Sequence, residues 1–495
     1  MATPNNNATL KGKVVSGLFW RTADKFSTQF VAFFVSLVLA RLLGPEPYGL
    51  VALLAIFISI SNLLVDCGLA KSLIQRKTLS DADCSTMFWV NTAVGFFAYL
   101  ALFFAAPAIA VFYRQPILVP VLRIAAIGVL FNAMNDVQNA LLEREMKFRL
   151  GFWISMGGVI ANGTTGLFLA FRGAGVWALV WAGFANSLVG TLLRWTLVGW
   201  RPSFVFSRQS FKSLFSFSWK LSVSSLFHLV FVHLSGLLIG RYYSPDQLAF
   251  YNKGRSIPNL AVSSINGTVV SVSFPALSKM QSDRNVFREA MRKMLIASSY
   301  FVVPGMSILA GCATPLVRVL LGDKWLEAVP FLKLACFTFA FLPFTSINLQ
   351  AIVALGRTDI TLKLEILKKA VALTVMALAI PHGVLTFAVA SAVVTMPFAI
   401  VINTFPNKNL VGYGRSRQFL DAAPALIVSA LILFSEVIIE RFMPSTQPIL
   451  TLFVQLFAGV AVFSMFGTIF HPRGWRMFLA TVGSILGRIR RRVST

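Results

Sequence analysis

The chain has 495 residues, of which 57% are hydrophobic and only 13% charged, with 44 Lys+Arg against 18 Asp+Glu. A soluble domain carries about 25% charged residues, so this composition excludes an ordinary soluble protein and describes a polytopic membrane protein. The net charge of +26 would suit nucleic acid, but in such a chain basic loops first set orientation, and no nucleic-acid partner is inferred.

Residues 1–17 read as a cytoplasmic N-terminal tail. Fourteen apolar windows follow, near 18–40, 49–66, 88–112, 118–142, 150–171, 175–198, 214–240, 247–274, 297–320, 328–355, 363–381, 384–405, 422–440 and 449–470. A helix needs about 20 residues to cross a bilayer, so each is taken as one span. The first is too long for a cleavable leader and lacks a small-residue cleavage pattern, so it is read as a retained span. Cys67, Cys84, Cys312 and Cys336 show no paired spacing, and His228, His233, His382 and His471 are scattered. Neither a disulfide, a metal site nor a cofactor is expected from them.

Loop charge sets the orientation. The tails and even-numbered loops, with the helix ends beside them, hold 33 of the 44 Lys+Arg, and the odd-numbered loops hold 7. This asymmetry predicts a multi-pass membrane protein with both termini in the cytoplasm. The odd-numbered, outer loops are all short, which leaves no room for an external catalytic domain. The longest inner connection, 275–296, reads as a short amphipathic helix lying on the membrane surface.

The first span carries polar groups where lipid would reject them. Arg21, Lys25, Thr28, Gln29, Ala32 and Ser36 share one helical face, with Asp24 at its edge. Arg21 and Lys25 could snorkel to headgroups from their position near the helix start. Asp24 between them, followed by a deeper polar run, points instead to a water-filled cavity.

The chain repeats itself. At a shift of 200, Arg41-Leu-Leu-Gly-Pro45-Glu46 lies over Arg241-Tyr-Tyr-Ser-Pro245-Asp246; at 210, Val119-Pro120 and Arg123 lie over Val329-Pro330 and Lys333. Matches also fall at 199 (Trp20-Arg21 over Trp219-Lys220) and 212 (Val137-Gln138 over Leu349-Gln350). Four matches in order predict two parallel six-helix lobes, residues 18–198 and 214–405, joined by a cytoplasmic linker, 199–213. Two extra helices fill 406–470, and 471–495 form a basic cytoplasmic tail whose RIRRR run (488–492) reads as a headgroup anchor.

The fold expected is therefore all-α, with about 14 transmembrane helices and two lobes around a central cavity. The seventh span copies the first: Lys220, Ser224, His228 and Ser235 share a face. The eighth carries Arg255, Asn259, Ser263 and Asn266 within one arc, and Asn266 overlies Asp66 of the second span. If the lobes face each other, these stripes line one cavity of net positive charge. Its expected cargo contacts are Arg21, Lys25, Lys220, Arg255, Asn259 and His228, with Asp24 and Asp66 as candidates for ion coupling. Arg255 is the sharpest, since a guanidinium deep in an apolar span suits bidentate phosphate binding; the alternative is a structural ion pair. His228 either lines the cavity or bonds nearby backbone. Arg123 and Lys333 occupy matched positions and suggest a shared structural task, such as bonding carbonyls or anchoring to headgroups. Asn132, Asn135 and Asp136 could form a polar patch between helices. No enzyme constellation is visible: the sequence has no P-loop, no GxSxG and no paired carboxylates with a His in reach.

Several runs carry a family likeness. FWR…LARLLGPEPYGLVAL, VDCGLAKSLIQRK and STMFWVN in the first half, with SFPALSKMQSD, LLGDKWLEAVPFLKL and LGRTDITLK in the second, resemble the oligosaccharide flippases of the multidrug/oligolipid/polysaccharide exporter superfamily. The likeness is to the Wzx-type polysaccharide-transporter branch, covers about residues 10–410, and thins over the last two spans. It implies a polyprenyl-diphosphate-linked oligosaccharide as cargo, moved from the cytoplasmic to the periplasmic leaflet by alternating access for surface polysaccharide biosynthesis. Membrane lipids, with a polysaccharide polymerase and co-polymerase, are the partners it suggests, and it places the last two helices beside a groove for the lipid tail. Two rivals stand beside it. A drug/cation antiporter on the same fold needs an acidic cavity; a polysaccharide polymerase or ligase needs a sizeable outer loop.

Overall fold

The computed structural model describes residues 6–66, 73, 79–443 and 447–479, with backbone alone at 6–15, 18, 210, 213–221, 223, 224, 264 and 268. Its regular structure among these residues is helical. The first unit holds α1 (Asn6–Leu43), α2 (Pro45–Asp66), α3 (Asp81–Tyr113), α4 (Leu118–Ala125), α5 (Ile127–Arg144), α6 (Phe148–Phe171), α7 (Val176–Leu197) and α8 (Arg208–Tyr242). Then come α9 (Pro245–Lys279), α10 (Arg284–Gly311), α11 (Ala313–Leu320), α12 (Val329–Ala340) and α13 (Leu342–Ala354). The chain ends in α14 (Thr358–Ala379), α15 (Val384–Ala390), α16 (Met396–Val411), α17 (Arg415–Phe442) and α18 (Pro448–Phe470).

Every expected span coincides with a helix, with two helices end to end or, at 384–405, with α15 and α16 joined by a π-helical turn, Ser391–Thr395. Thirteen segments among the described residues are long and apolar enough to cross a bilayer. The exception is α14, whose Lys363, Glu365, Lys368 and Lys369 crowd its first three turns.

The helix breaks follow local chemistry. α1 stops at Leu43 because Gly44 takes φ 79°, and Pro45 opens α2, where a missing N–H costs nothing. The repeat partner behaves alike: α8 ends at Tyr242 and Pro245 opens α9. α3 starts in a capping box in which Ser80 and Asp83 bond each other's backbone N–H.

The chain divides into two compact units, residues 1–249 and 250–495, so the division falls inside α9 and α8 groups with the first unit, packing on α2 and α3. In that unit α6 is wedged between α1 and α7. A Cβ at Gly163 would lie 2.9 Å from Val35, and one at Gly166 3.1 Å from both Ala182 and Leu39, so glycine permits the approach. The linker at 199–207 docks on the start of α3. The Ser203 and Ser207 N–H groups donate to Ser85 and Thr86 hydroxyls at 3.0 and 2.9 Å, and Phe204 stacks on Trp89.

In the second unit, 275–296 is not a separate surface helix. It is the last turn of α9, a short turn, and the start of α10, capped by Asp283, whose carboxylate accepts from Asn285 and Val286 N–H. The amphipathic pattern was real, but its apolar face (Phe287, Met291, Leu295) packs into protein with Leu277 rather than into lipid. A buried amide cluster ties α17 to this unit. Asn348 of α13 donates to Gln418 of α17 at 2.8 Å, and Asn407 of α16 donates to Asn348 at 2.8 Å. Nearby, Arg292 of α10 grips Asp421 of α17 through two bonds of 2.7 and 2.6 Å, and the Tyr413 hydroxyl donates to the same carboxylate at 2.9 Å. Burial, together with that carboxylate, pushes the Tyr413 phenol well above its ordinary range.

Candidate functional site

In the first unit the charged face of α1 opens onto a polar seam crossing five further helices. Arg21 is exposed and reaches Glu143 of α5 at 3.5 Å, with its guanidinium 5.6 Å from the Phe148 ring. Lys25 is exposed beside it. Asp24 turns inward: its Oδ1 is buried without a partner, Ser155 of α6 bonds the carboxylate, and Arg194 and Arg21 lie within electrostatic reach.

Arg194 of α7 is the hub. Its Nε donates to Asn139 Oδ1 at 2.8 Å and its Nη1 to the Gly190 carbonyl at 3.0 Å, and its charge lies between Asp24 and Asp136. Asp136 accepts from Asn91 of α3 at 3.3 Å and has Asp66 of α2 as an electrostatic neighbour. Asn132 donates to Asn62 at 3.1 Å and Asn135 to Thr191 at 2.8 Å. The expected patch around Asp136 is thus an interhelical network, and Asp24 and Asp66 lie at its two ends. Sequence reading missed Arg194 because it was counted among the basic groups of a cytoplasmic connection. Its position four residues before the end of the apolar run at 198, and three before the helix ends at Leu197, fits a loop anchor as well as an inward-facing group.

In the second unit Arg255 of α9 is half-buried in an aromatic cradle. Its Nη1 donates to the Tyr251 hydroxyl at 3.0 Å, and its guanidinium lies 5.2 Å from the Tyr251 ring and 5.8 Å from Phe339. Tyr251 is itself braced by Phe331 and Phe387. Among the described residues no carboxylate hydrogen-bonds or ion-pairs with this guanidinium, so the ion-pair alternative finds no partner there. Asn259, one turn on, is exposed. His228 on α8 is exposed as well, while the side chain of Lys220 lies outside the described residues. Lys71, Arg76 and Lys77 of the second loop and the RIRRR run also lie outside them.

The matched pair Arg123 and Lys333 does structural work in both halves. Arg123 donates to the Phe103 carbonyl at 3.4 Å and stacks on the Phe103 ring, while Lys333 pairs with Glu440 of α17 at 3.7 Å. The run LGRTDITLK closes a turn through the two-pronged Arg357–Asp359 pair at 3.0 Å, and LLGDKWLEAV buries Trp325 completely.

Long apolar helices in two units, with charged residues kept inside the spans on polar faces, define a membrane transporter architecture. The same fold is seen in a solved structure, "Lipid II flippase MurJ, inward closed conformation", with a TM-score of 0.71 over 92% of this chain and 99% of that one, at 14% identity. The family profile described as "Polysaccharide biosynthesis protein" matches residues 38–330, and the chain belongs to that family. Among curated relatives, the "Lipopolysaccharide biosynthesis protein WzxC" of Escherichia coli (strain K12) is 24% identical over 366 residues, 73% of this chain and 74% of that protein. The "Succinoglycan biosynthesis transport protein ExoT" of Rhizobium meliloti (strain 1021) is 29% identical over 340 residues, 67% of each. The expected all-α membrane fold and the kinship with Wzx-type transporters both hold.

Proposed function

We propose that this protein is a flippase, not an enzyme, that carries polyprenyl-diphosphate-linked oligosaccharide repeat units across the bacterial cytoplasmic membrane for surface polysaccharide synthesis. Both termini then lie in the cytoplasm, and a polysaccharide polymerase with its co-polymerase receives the product. The observation that carries the reading is Arg255, a guanidinium inside an apolar span held by aromatic rings and a phenol instead of a carboxylate. Its bidentate face is available to a diphosphate, whose charge cannot cross hydrocarbon without such a replacement for water.

Arg21 and Lys25 give α1 a second cationic end, and Lys220, His228 and Asn259 supply further charge and hydrogen bonds on α8 and α9. Alternating access requires cargo or a coupling ion to bind one arrangement of the lobes better than the other. Asp24, one turn from Arg21, competes with cargo for that base and so favours reset once cargo leaves; Asp66 is the second coupling candidate. A cation antiporter is disfavoured because Arg194 already supplies positive charge between Asp24 and Asp136.

The test is a gene deletion followed by leaflet-specific detection of lipid-linked sugar. Fully assembled repeat units should accumulate, facing the cytoplasm. Repeat units exposed outside but unpolymerised would instead favour a polymerase.

A further inference from the structure

The last two spans hold a buried acid that the cargo reading does not use. Glu436 of α17 is 1% exposed, and neither of its carboxyl oxygens has a partner. Gln455 of α18 donates through Nε2 to the Glu436 carbonyl at 3.3 Å, which leaves its own buried Oε1 unpartnered. Three buried acceptor oxygens, two on α17 and one on α18, are thus without a hydrogen bond among the described residues.

The fold makes room for this carboxyl. A Cβ at Gly311 of α10 would lie 2.4 Å from Glu436 Cγ, and a Cβ at Gly459 of α18 would lie 3.0 Å from Glu436 Oε1. Two glycines on two helices therefore shape the slot. A cavity of about 400 Å³ lies beside this slot, with Gly311, Ser429, Lys333 and Glu440 among its lining residues. Glu440 is one turn beyond Glu436 on α17, partly exposed, and paired with Lys333 of α12. Cys312, from the α10–α11 junction, is a second titratable group within electrostatic reach of Glu436, and α18 presents Gln455 and Gly459 to it.

We propose that Glu436 is an exchangeable proton-binding site, supplied from this cavity through Glu440. A proton turns an acceptor-only group into a donor and removes a charge that an apolar interior does not tolerate. Ionisation then favours any arrangement in which α17 and α18 loosen from Gly311 and admit water, so proton release and helix movement are linked. As a coupling device for transport this rests on the flippase reading; as a proton site it does not.

The experiment is infrared difference spectroscopy of the purified full-length protein in lipid nanodiscs, which reads the carboxylic-acid carbonyl band directly. Wild-type protein should show a band that shifts in D2O and disappears on raising pH, and Glu436→Gln should lack it at unchanged thermal stability. Glu440→Gln should keep the band but slow its exchange. In proteoliposomes Glu436→Gln should lose the response of flipping to an imposed pH gradient. Identical spectra for wild type and Glu436→Gln would overturn the site. A band removed by sodium at constant pH would overturn it in favour of a metal cation, and an exchange rate unaltered in Glu440→Gln would overturn the route.

Discussion

Two arginines that look alike in the sequence do opposite things. Arg255 stacks between Tyr251 and Phe339 with no acidic partner among the described residues, while Arg194 is bonded to Asn139 and lies within electrostatic reach of Asp24 and Asp136. Arg255→Ala should abolish export at normal membrane abundance. Losing charge-assisted bonds of about 1.5–3 kcal/mol weakens cargo retention roughly tenfold to a hundredfold. Arg255→Lys should restore only part, because an ammonium lacks the fork geometry. Complementation for surface polysaccharide beside a quantitative blot decides it: normal export by Arg255→Ala removes the residue from the cargo path. Arg194→Ala should instead lower abundance and thermal stability, by about 3 kcal/mol, since it strands two carboxylates inside the helix bundle. Arg255 could be read from the sequence because it stands deep in an apolar span. Arg194 could not, because a charge near a helix end counts equally as a loop anchor or as an inward hub, and only the neighbouring Asn139 and Asp136 decide between them.

At the scale of elements, hydropathy located the helices, and what each face meets was the hidden part. The pattern Phe287, Met291, Leu295 announces an amphipathic helix without saying that its apolar side meets Leu277 instead of acyl chains. Likewise the glycines of α6 are unremarkable in sequence, yet Gly163 and Gly166 set how closely α1 and α7 approach. Gly166→Leu should therefore cost about 1–3 kcal/mol through overpacking against Leu39 and Ala182. Gly151→Leu on the same helix, where nothing lies within 4 Å, serves as the control and should be near neutral. Detergent-solubilised thermal unfolding of the two variants measures the difference; equal midpoints would mean that α6 is not held by those contacts.

For the whole molecule, the information is in charge asymmetry and in the repeat. The motif pair RLLGPE and RYYSPD marks the same kind of helix break, at Pro45 and at Pro245, and turn chemistry alone made both breaks legible. The unit division inside α9 was not, because which neighbours α8 packs on depends on contacts distant in sequence. Orientation is the property that charge counting predicts most directly, and it decides on which side cargo enters. Cys84, Cys312 and Cys336 are buried and should stay silent toward impermeant thiol reagents, while Cys67 is replaced before labelling. Arg208→Cys and Arg417→Cys should then label only when reagent reaches the cytoplasm. Arg114→Cys and Asp246→Cys should label in intact cells, because they sit at the ends of α3 and the start of α9, on the poorly charged side. External labelling at position 208 would invert the molecule. The cationic ends of α1 and α8 would then face the periplasm, where no cytoplasmic diphosphate could reach them, and the direction of transport proposed here would fall with the topology.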